Sequence, residues 1–227
     1  MIKLIIFDLD GVLVEAKNIH FEALNEALGK EYAISWNEHL STYDGLKTVQ
    51  KLEMLTTNKK LPKTDHETIW QKKQKITLKK LKQLKEDDNL ISVMKSLTES
   101  GYELAVCSNS IRKTVLTVLS KLGVMEYMDL VISNEDVKNS KPHPEMYWKA
   151  ISMMSKLPEE TLIVEDSPYG LLAAARSKSH ILRVVNPDEV TYDNITKKII
   201  KIEKGNTMKT PKWHDDTLNI LIPMAGA

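Results

Sequence analysis

The chain has 227 residues, of which 42% are apolar and 28% charged, with a formal net charge of +1. That length holds one sizeable core or a core plus a smaller domain, and no apolar run approaches a membrane span. Cys107 is the only cysteine, which excludes an internal disulfide; with no basic, apolar and cleavage-site pattern at the N-terminus, a cytoplasmic location is expected.

The first predicted element is an apolar strand, Leu4-Ile5-Ile6-Phe7, running into Asp8-Leu9-Asp10-Gly11. A strand of this kind is covered on both faces, so carboxylates at its C-terminal end lie where open α/β sheets bind ligands. Asp8 and Asp10 point the same way only while the chain stays extended. A turn at Gly11 lets one face a substrate while the other serves a neighbouring role. Either also suits a helix N-cap. About a hundred residues then intervene before the next strand, far more than one crossover needs, so an insertion leaves the core after Gly11. Within it, ten lysines face only Asp65 and Glu67 between Lys59 and Lys85, and Ile69 to Leu84 reads as a helix. Its lysines suit a solvated face; alternatively they guide anionic substrates, with Lys73 or Lys75 reaching a distal phosphate or sugar hydroxyl. Trp70 is its single aromatic, which argues against nucleic acid as a partner.

Strands resume at Glu103-Leu104-Ala105-Val106-Cys107, ending in Ser108-Asn109-Ser110, and at Leu130-Val131-Ile132-Ser133, followed by Lys141-Pro142-His143-Pro144. Thr161-Leu162-Ile163-Val164 runs into Glu165-Asp166-Ser167, repeating acid at a strand end, and Ile181 to Val185 is a further strand. Helical patterns cover Arg112 to Leu122 and Glu145 to Met154. Alternating strands and helices predict an α/β fold, a doubly wound parallel sheet with its polar residues along one edge. Taken singly, Lys141 suits a surface turn, Ser108 a helix cap and Glu165-Asp166-Ser167-Pro168 a helix start. Cys107 reads as a small buried hydrophobe.

Asp8-Leu9-Asp10-Gly11-Val12, Ser108, Lys141 and Glu165-Asp166, in this order, resemble the four motifs of the haloacid dehalogenase (HAD) superfamily over residues 1 to 190. The long insertion after Gly11 is similar to that of the β-phosphoglucomutase-like subgroup. The resemblance implies a HAD-like Rossmannoid core over 1–14 and 88–192 and an α-helical cap domain over 15–87. It also implies Mg²⁺ held by Asp8, Asp10 through its carbonyl, Asp166 and Glu165. His20 falls where that pattern has a hinge histidine, and Lys47 near where the mutases present an arginine. Lysine does not reproduce a bidentate guanidinium contact, which weighs against the mutase.

Removing a phosphoryl group needs a nucleophile, a proton donor for the leaving oxygen and cations around the transferring oxygens. Asp8 suits the attack that forms an acyl phosphate. Asp10 suits general acid and base work, for which its pKa would have to be raised. Lys141 supplies fixed positive charge, and Ser108, the Asn109 amide and the Gly11 turn line the phosphate site. The expected function is a magnesium-dependent phosphatase acting on a small phosphorylated metabolite, with a sugar phosphate favoured. A phosphomutase, or a non-catalytic regulatory module, are the alternatives.

Residues 193–227 read as linker and tail. His214-Asp215-Asp216 is metal-capable but suits a hydrated turn. Leu218 to Ala227 resembles the first strand and glycine loop of sugar-nucleotidyltransferases, which implies a C-terminal nucleotidyltransferase domain in a longer bifunctional protein.

Overall fold

The computed structural model describes residues 1–205; His214, Asp215, Asp216 and the nucleotidyltransferase-like stretch from Leu218 lie outside them. Five strands, β1 (Leu4–Phe7), β2 (Glu103–Cys107), β3 (Leu130–Ile132), β4 (Thr161–Glu165) and β5 (His180–Arg183), form one parallel sheet in the order β3-β2-β1-β4-β5. The expected doubly wound α/β architecture is therefore present, with β1 at its centre.

The apolar residues of β1 alternate between two cores, as a strand buried on both faces requires. Ile5 and Phe7 join Leu104, Val106, Leu162 and Val164 on one face. That face is covered by α5 (Asp88–Glu99), α6 (Arg112–Leu122) and α9 (Tyr192–Glu203), through Met94 and Leu97, Val115 and Val118, and Ile195 and Ile199. Leu4 and Ile6 face the other way with Ala105, Cys107 and Ile163, beneath α7 (Glu145–Met153) and α8 (Pro168–Ser177). Residues 193–203, read from sequence as the start of the tail, thus belong to α9, whose buried isoleucines three to four apart pack on the core.

Register decides where chemistry gathers. Phe7 pairs with both Val106 and Val164, so one step further Asp8 stands level with Cys107 and Glu165. The central strand has β2 on one side and β4 on the other. Its C-terminal end is therefore a topological switch point, where such sheets open a crevice.

Between β1 and α5 the chain makes α1 (Lys17–Leu28), the single turn α2 (Trp36–Glu38), a π-helical turn over His39–Tyr43, α3 (Thr48–Lys59) and α4 (His66–Leu81). These helices share a separate apolar cluster that includes Leu24, Leu28, Tyr43, Leu52, Leu55 and Ile69. The helix expected over 69–84 lies three residues earlier, its apolar face closing with Leu81 against the core.

Candidate active site

The strand ends build the site. Lys141, 2% exposed, projects its ammonium between two carboxylates, 2.6 Å from Asp8 Oδ1 and 2.6 Å from Glu165 Oε1. It also donates to the Cys107 carbonyl at 2.8 Å and lies 5.0 Å from the centroid of the Tyr147 ring. A surface turn is thus excluded for Lys141. Burial opposes its charge, but Asp8 and Glu165 outweigh burial and raise the lysine pKa, holding it as an ammonium. Asp8 is itself raised well above the usual carboxylate range, first by burial, against the pull of Lys141 and with the push of Glu165 and Asp166.

Glu165 is fully buried and saturated with donors. Lys141 and the Tyr147 hydroxyl share Oε1, while the backbone N–H groups of Asp166 and Ser167 and the Ser167 hydroxyl donate to Oε2. Gly170, in the first turn of α8, makes room for it: a Cβ there would overlap the Glu165 carboxylate. Tyr147 was not singled out from sequence; its place on the buried face of α7 is the signal it offered. Burial pushes the Cys107 thiol up to about 12, and that residue is an inert core side chain.

On the turn after β1, Asp10 joins a chain of polar groups. Its Oδ1 lies 2.9 Å from His20 Nε2, its Oδ2 accepts from the Ser110 hydroxyl at 2.8 Å, and His20 Nδ1 lies 3.3 Å from Lys73 Nζ. An ammonium only donates, so Nδ1 accepts from Lys73 and the ring proton sits on Nε2, facing Asp10. General-acid work by Asp10 requires a raised pKa, and the groups around it have the opposite effect. Burial does push it up, but the charge and hydrogen bond of His20, the Ser110 hydroxyl and Lys73 overcome burial and hold it at about 2. The partner that does this comes from α1, ten residues on.

A cavity of about 300 Å³ opens above these residues, lined by Asp8, Asp10, Ser108, Asn109 and Lys141 below and by His20, Lys47, Lys51 and Lys73 above. Lys73 is buried, the exception on a helix whose Lys72, Lys75 and Lys79 are exposed as a solvated face requires, and Lys51, on α3, is buried beside it. Burial, then the charge of Lys51, pull Lys73 down to about 7, with Asp10 opposing. Ser108 is 1% exposed and accepts from the Ser110 N–H at 3.0 Å. The Asn109 side chain donates to the Gly45 carbonyl at 2.8 Å and to the Lys141 carbonyl at 3.2 Å, and accepts from the Lys141 N–H. Its amide group therefore joins the α2–α3 loop to the core, which leaves its backbone N–H for an anion.

The donor set fits a hard divalent cation. Among the described residues, Asp8, Glu165 and Asp166 each offer a carboxylate oxygen within 4.8 Å of the others. Asp166 Oδ1 is buried with no hydrogen-bond partner, an arrangement that a cation would satisfy. Gly11, at φ +94°, brings its backbone so close that a Cβ would overlap the Asp166 carboxylate. Burial and Glu165 raise Asp166 to about 6 against the pull of Lys17.

A parallel sheet whose central strand ends in a lysine-held carboxylate, beside a second carboxylate and a cation-ready acidic cluster, marks an α/β protein with a candidate active site at its switch point. The sequence profile of the haloacid dehalogenase-like hydrolases matches residues 5–184. The chain belongs to that family, and the relatives it matches include named phosphatases. A phosphorylated carbohydrates phosphatase of Thermotoga maritima is 28% identical over 177 residues, 75% of this chain and 79% of that protein. Pyrophosphatase PpaX of Anoxybacillus flavithermus is 26% identical over 182 residues, 76% of this chain and 78% of that protein. In fold, the chain is similar to β-phosphoglucomutase from Clostridium difficile, with a TM-score of 0.79 and 20% identity over 90% of this chain and all of the other.

Proposed function

We propose that this protein is a magnesium-dependent phosphatase that hydrolyses a small phosphorylated metabolite, a sugar phosphate above others, through an aspartyl-phosphate on Asp8. The observation that carries the reading is Asp8 at the end of the central strand, gripped by buried Lys141 at 2.6 Å and opening on a polar cavity. Asp8 attacks phosphorus while the bond from phosphorus to the leaving oxygen breaks, and Lys141 and Ser108 stabilise the transferring oxygens. Asp10 protonates the leaving oxygen. Held near 2, it is a carboxylate in the free enzyme, so it takes the Nε2 proton of His20 while His20 Nδ1 takes one from the Lys73 ammonium, which is left as the neutral amine. Water then attacks the acyl phosphate, Asp10 accepts the water's proton, and phosphate leaves.

Asp8 and Asp166, with the Asp10 carbonyl, would hold Mg²⁺, and Glu165 beside them orients Lys141. Bound there, the ion would offset the charge between attacking carboxylate and phosphate. Helices α1 to α4 act as a cap, and Lys51 and Lys73 draw an anionic substrate into the cavity. The relative from T. maritima, named for phosphorylated carbohydrates, supports the substrate class.

A phosphomutase is the second reading, favoured by the Asn109 bridge to Gly45, which closes the cap loop over the site and would exclude water. Incubation with Mg²⁺ and a panel of sugar mono- and bisphosphates, following free phosphate and phosphorus NMR, separates them. Free phosphate from some sugars, lost in Asp8→Asn, supports the phosphatase. Isomerised sugar phosphate without free phosphate would make the protein a mutase, and no reaction at all would favour a regulatory module.

A further inference from the structure

Lys17, the first residue of α1, places its ammonium 2.8 Å from Asp166 Oδ2. The Asp166 side chain is 2% exposed and that of Lys17 21%. The contact is an ion pair at hydrogen-bonding distance, and it leaves Asp166 Oδ1 without a partner. Asp8 and Glu165 already share Lys141. Lys17 is therefore the cation that faces the third carboxylate of the cluster, on the oxygen that the bare Gly11 backbone also approaches.

We propose that Lys17 is a built-in competitor for the divalent cation: its ammonium occupies Asp166 and has to withdraw for a metal ion to bind fully, which sets the metal affinity of the site. The inference rests on the magnesium reading above and adds to it a residue outside the four motifs. Three carboxylates against Lys141 alone would leave two negative charges for a divalent ion to neutralise; with Lys17 in place only one remains. An ammonium and a metal ion on the same carboxylate repel each other strongly at this depth. Partial exposure gives the Lys17 side chain a route to solvent, along which its stem can extend while its charge is hydrated. Lys17 begins α1, the helix that also carries His20, so metal entry acts on the same helix that holds the partner of Asp10.

The test is a binding measurement on the full chain. Free Mn²⁺ is counted by electron paramagnetic resonance during titration of the wild type, Lys17→Met and Lys17→Arg. Methionine keeps the stem and removes the charge, and it should tighten Mn²⁺ binding at least tenfold; arginine should stay within about threefold of the wild type. Equal or weaker binding by Lys17→Met would overturn the proposal, since Lys17 would then orient Asp166 for the metal. No Mn²⁺ binding by the wild type or either variant would overturn the magnesium reading and this inference together. The wild type gives a second measurement that needs no variant. Amine acetylation at Lys17, followed by peptide mass spectrometry, should accelerate when Mg²⁺ is added, and unchanged or slower labelling would contradict displacement.

Discussion

Replacing Lys141 by methionine keeps most of the stem and deletes one buried charge. It strips Asp8 and Glu165 of a donor at 2.6 Å each and the Cys107 carbonyl of one at 2.8 Å. Removing one partner of a buried ion pair costs ~3–5 kcal/mol because the other charge is left unpaired. In a protein of this size each kcal/mol moves the melting midpoint by about 2–4 °C, so at neutral pH the variant should melt roughly 6–20 °C lower. The pH dependence carries the sharper test. Asp8 already has a folded pKa raised above its unfolded value, and losing Lys141 raises it further. A carboxyl raised by folding stabilises the native state in its protonated form, so the penalty is largest above the folded pKa and shrinks as pH falls through it. The gap between variant and wild type should therefore narrow on acidification, measured by circular dichroism melts across the mildly acid to neutral range. An unchanged midpoint at neutral pH, or a gap that widens toward acid, would refute the reasoning.

Gly170→Ala should displace Glu165 and, through it, Lys141; we expect a fall in kcat of at least about tenfold with an intact circular dichroism spectrum, and normal kcat would show that the close approach is dispensable. His20→Ala removes the charge and hydrogen bond that hold Asp10 at about 2, so the protonated form that the leaving oxygen needs persists to higher pH and the kcat/KM of the variant should rise toward acid relative to the wild type; an unchanged profile would separate His20 from Asp10. Lys73, drawn down to about 7, is charged below that pH. Its pull on an anionic substrate is present in acid and lost as pH rises through about 7, so kcat/KM should decline there and Lys73→Met should flatten the decline. Mg²⁺ at a hundred times its Kd should add about 2.7 kcal/mol of stability, seen as a higher midpoint that EDTA abolishes and Asp166→Asn reduces.

The core of the site was legible because a parallel sheet in register sends every strand tip to one edge: Asp8, Ser108 and Glu165 each follow an apolar run, and the runs end level. Lys141 needed the resemblance, since its burial between carboxylates depends on partners 133 and 24 residues away. Lys73 carried a local signal, lying four residues after Ile69 and three before Ile76, on the apolar face of its helix and unlike exposed Lys75. Lys51 carried the same mark, one residue before Leu52 and four before Leu55, whereas partly exposed Lys17 had none, because its place beside Asp166 depends on contact between the inserted segment and the core. The low Asp10 pKa was hidden for the same reason: it is set by His20, arriving from α1, together with Ser110 and Lys73.

The account turns on Asp8 as the nucleophile, and the most direct test is to trap the intermediate. The enzyme is mixed with Mg²⁺ and a substrate from the panel, quenched in acid within the first turnover and digested for mass spectrometry. A phosphoryl group on the peptide carrying Asp8, absent in Asp8→Asn, is the predicted result. Turnover that leaves every peptide unmodified, or that persists in Asp8→Asn, would contradict it.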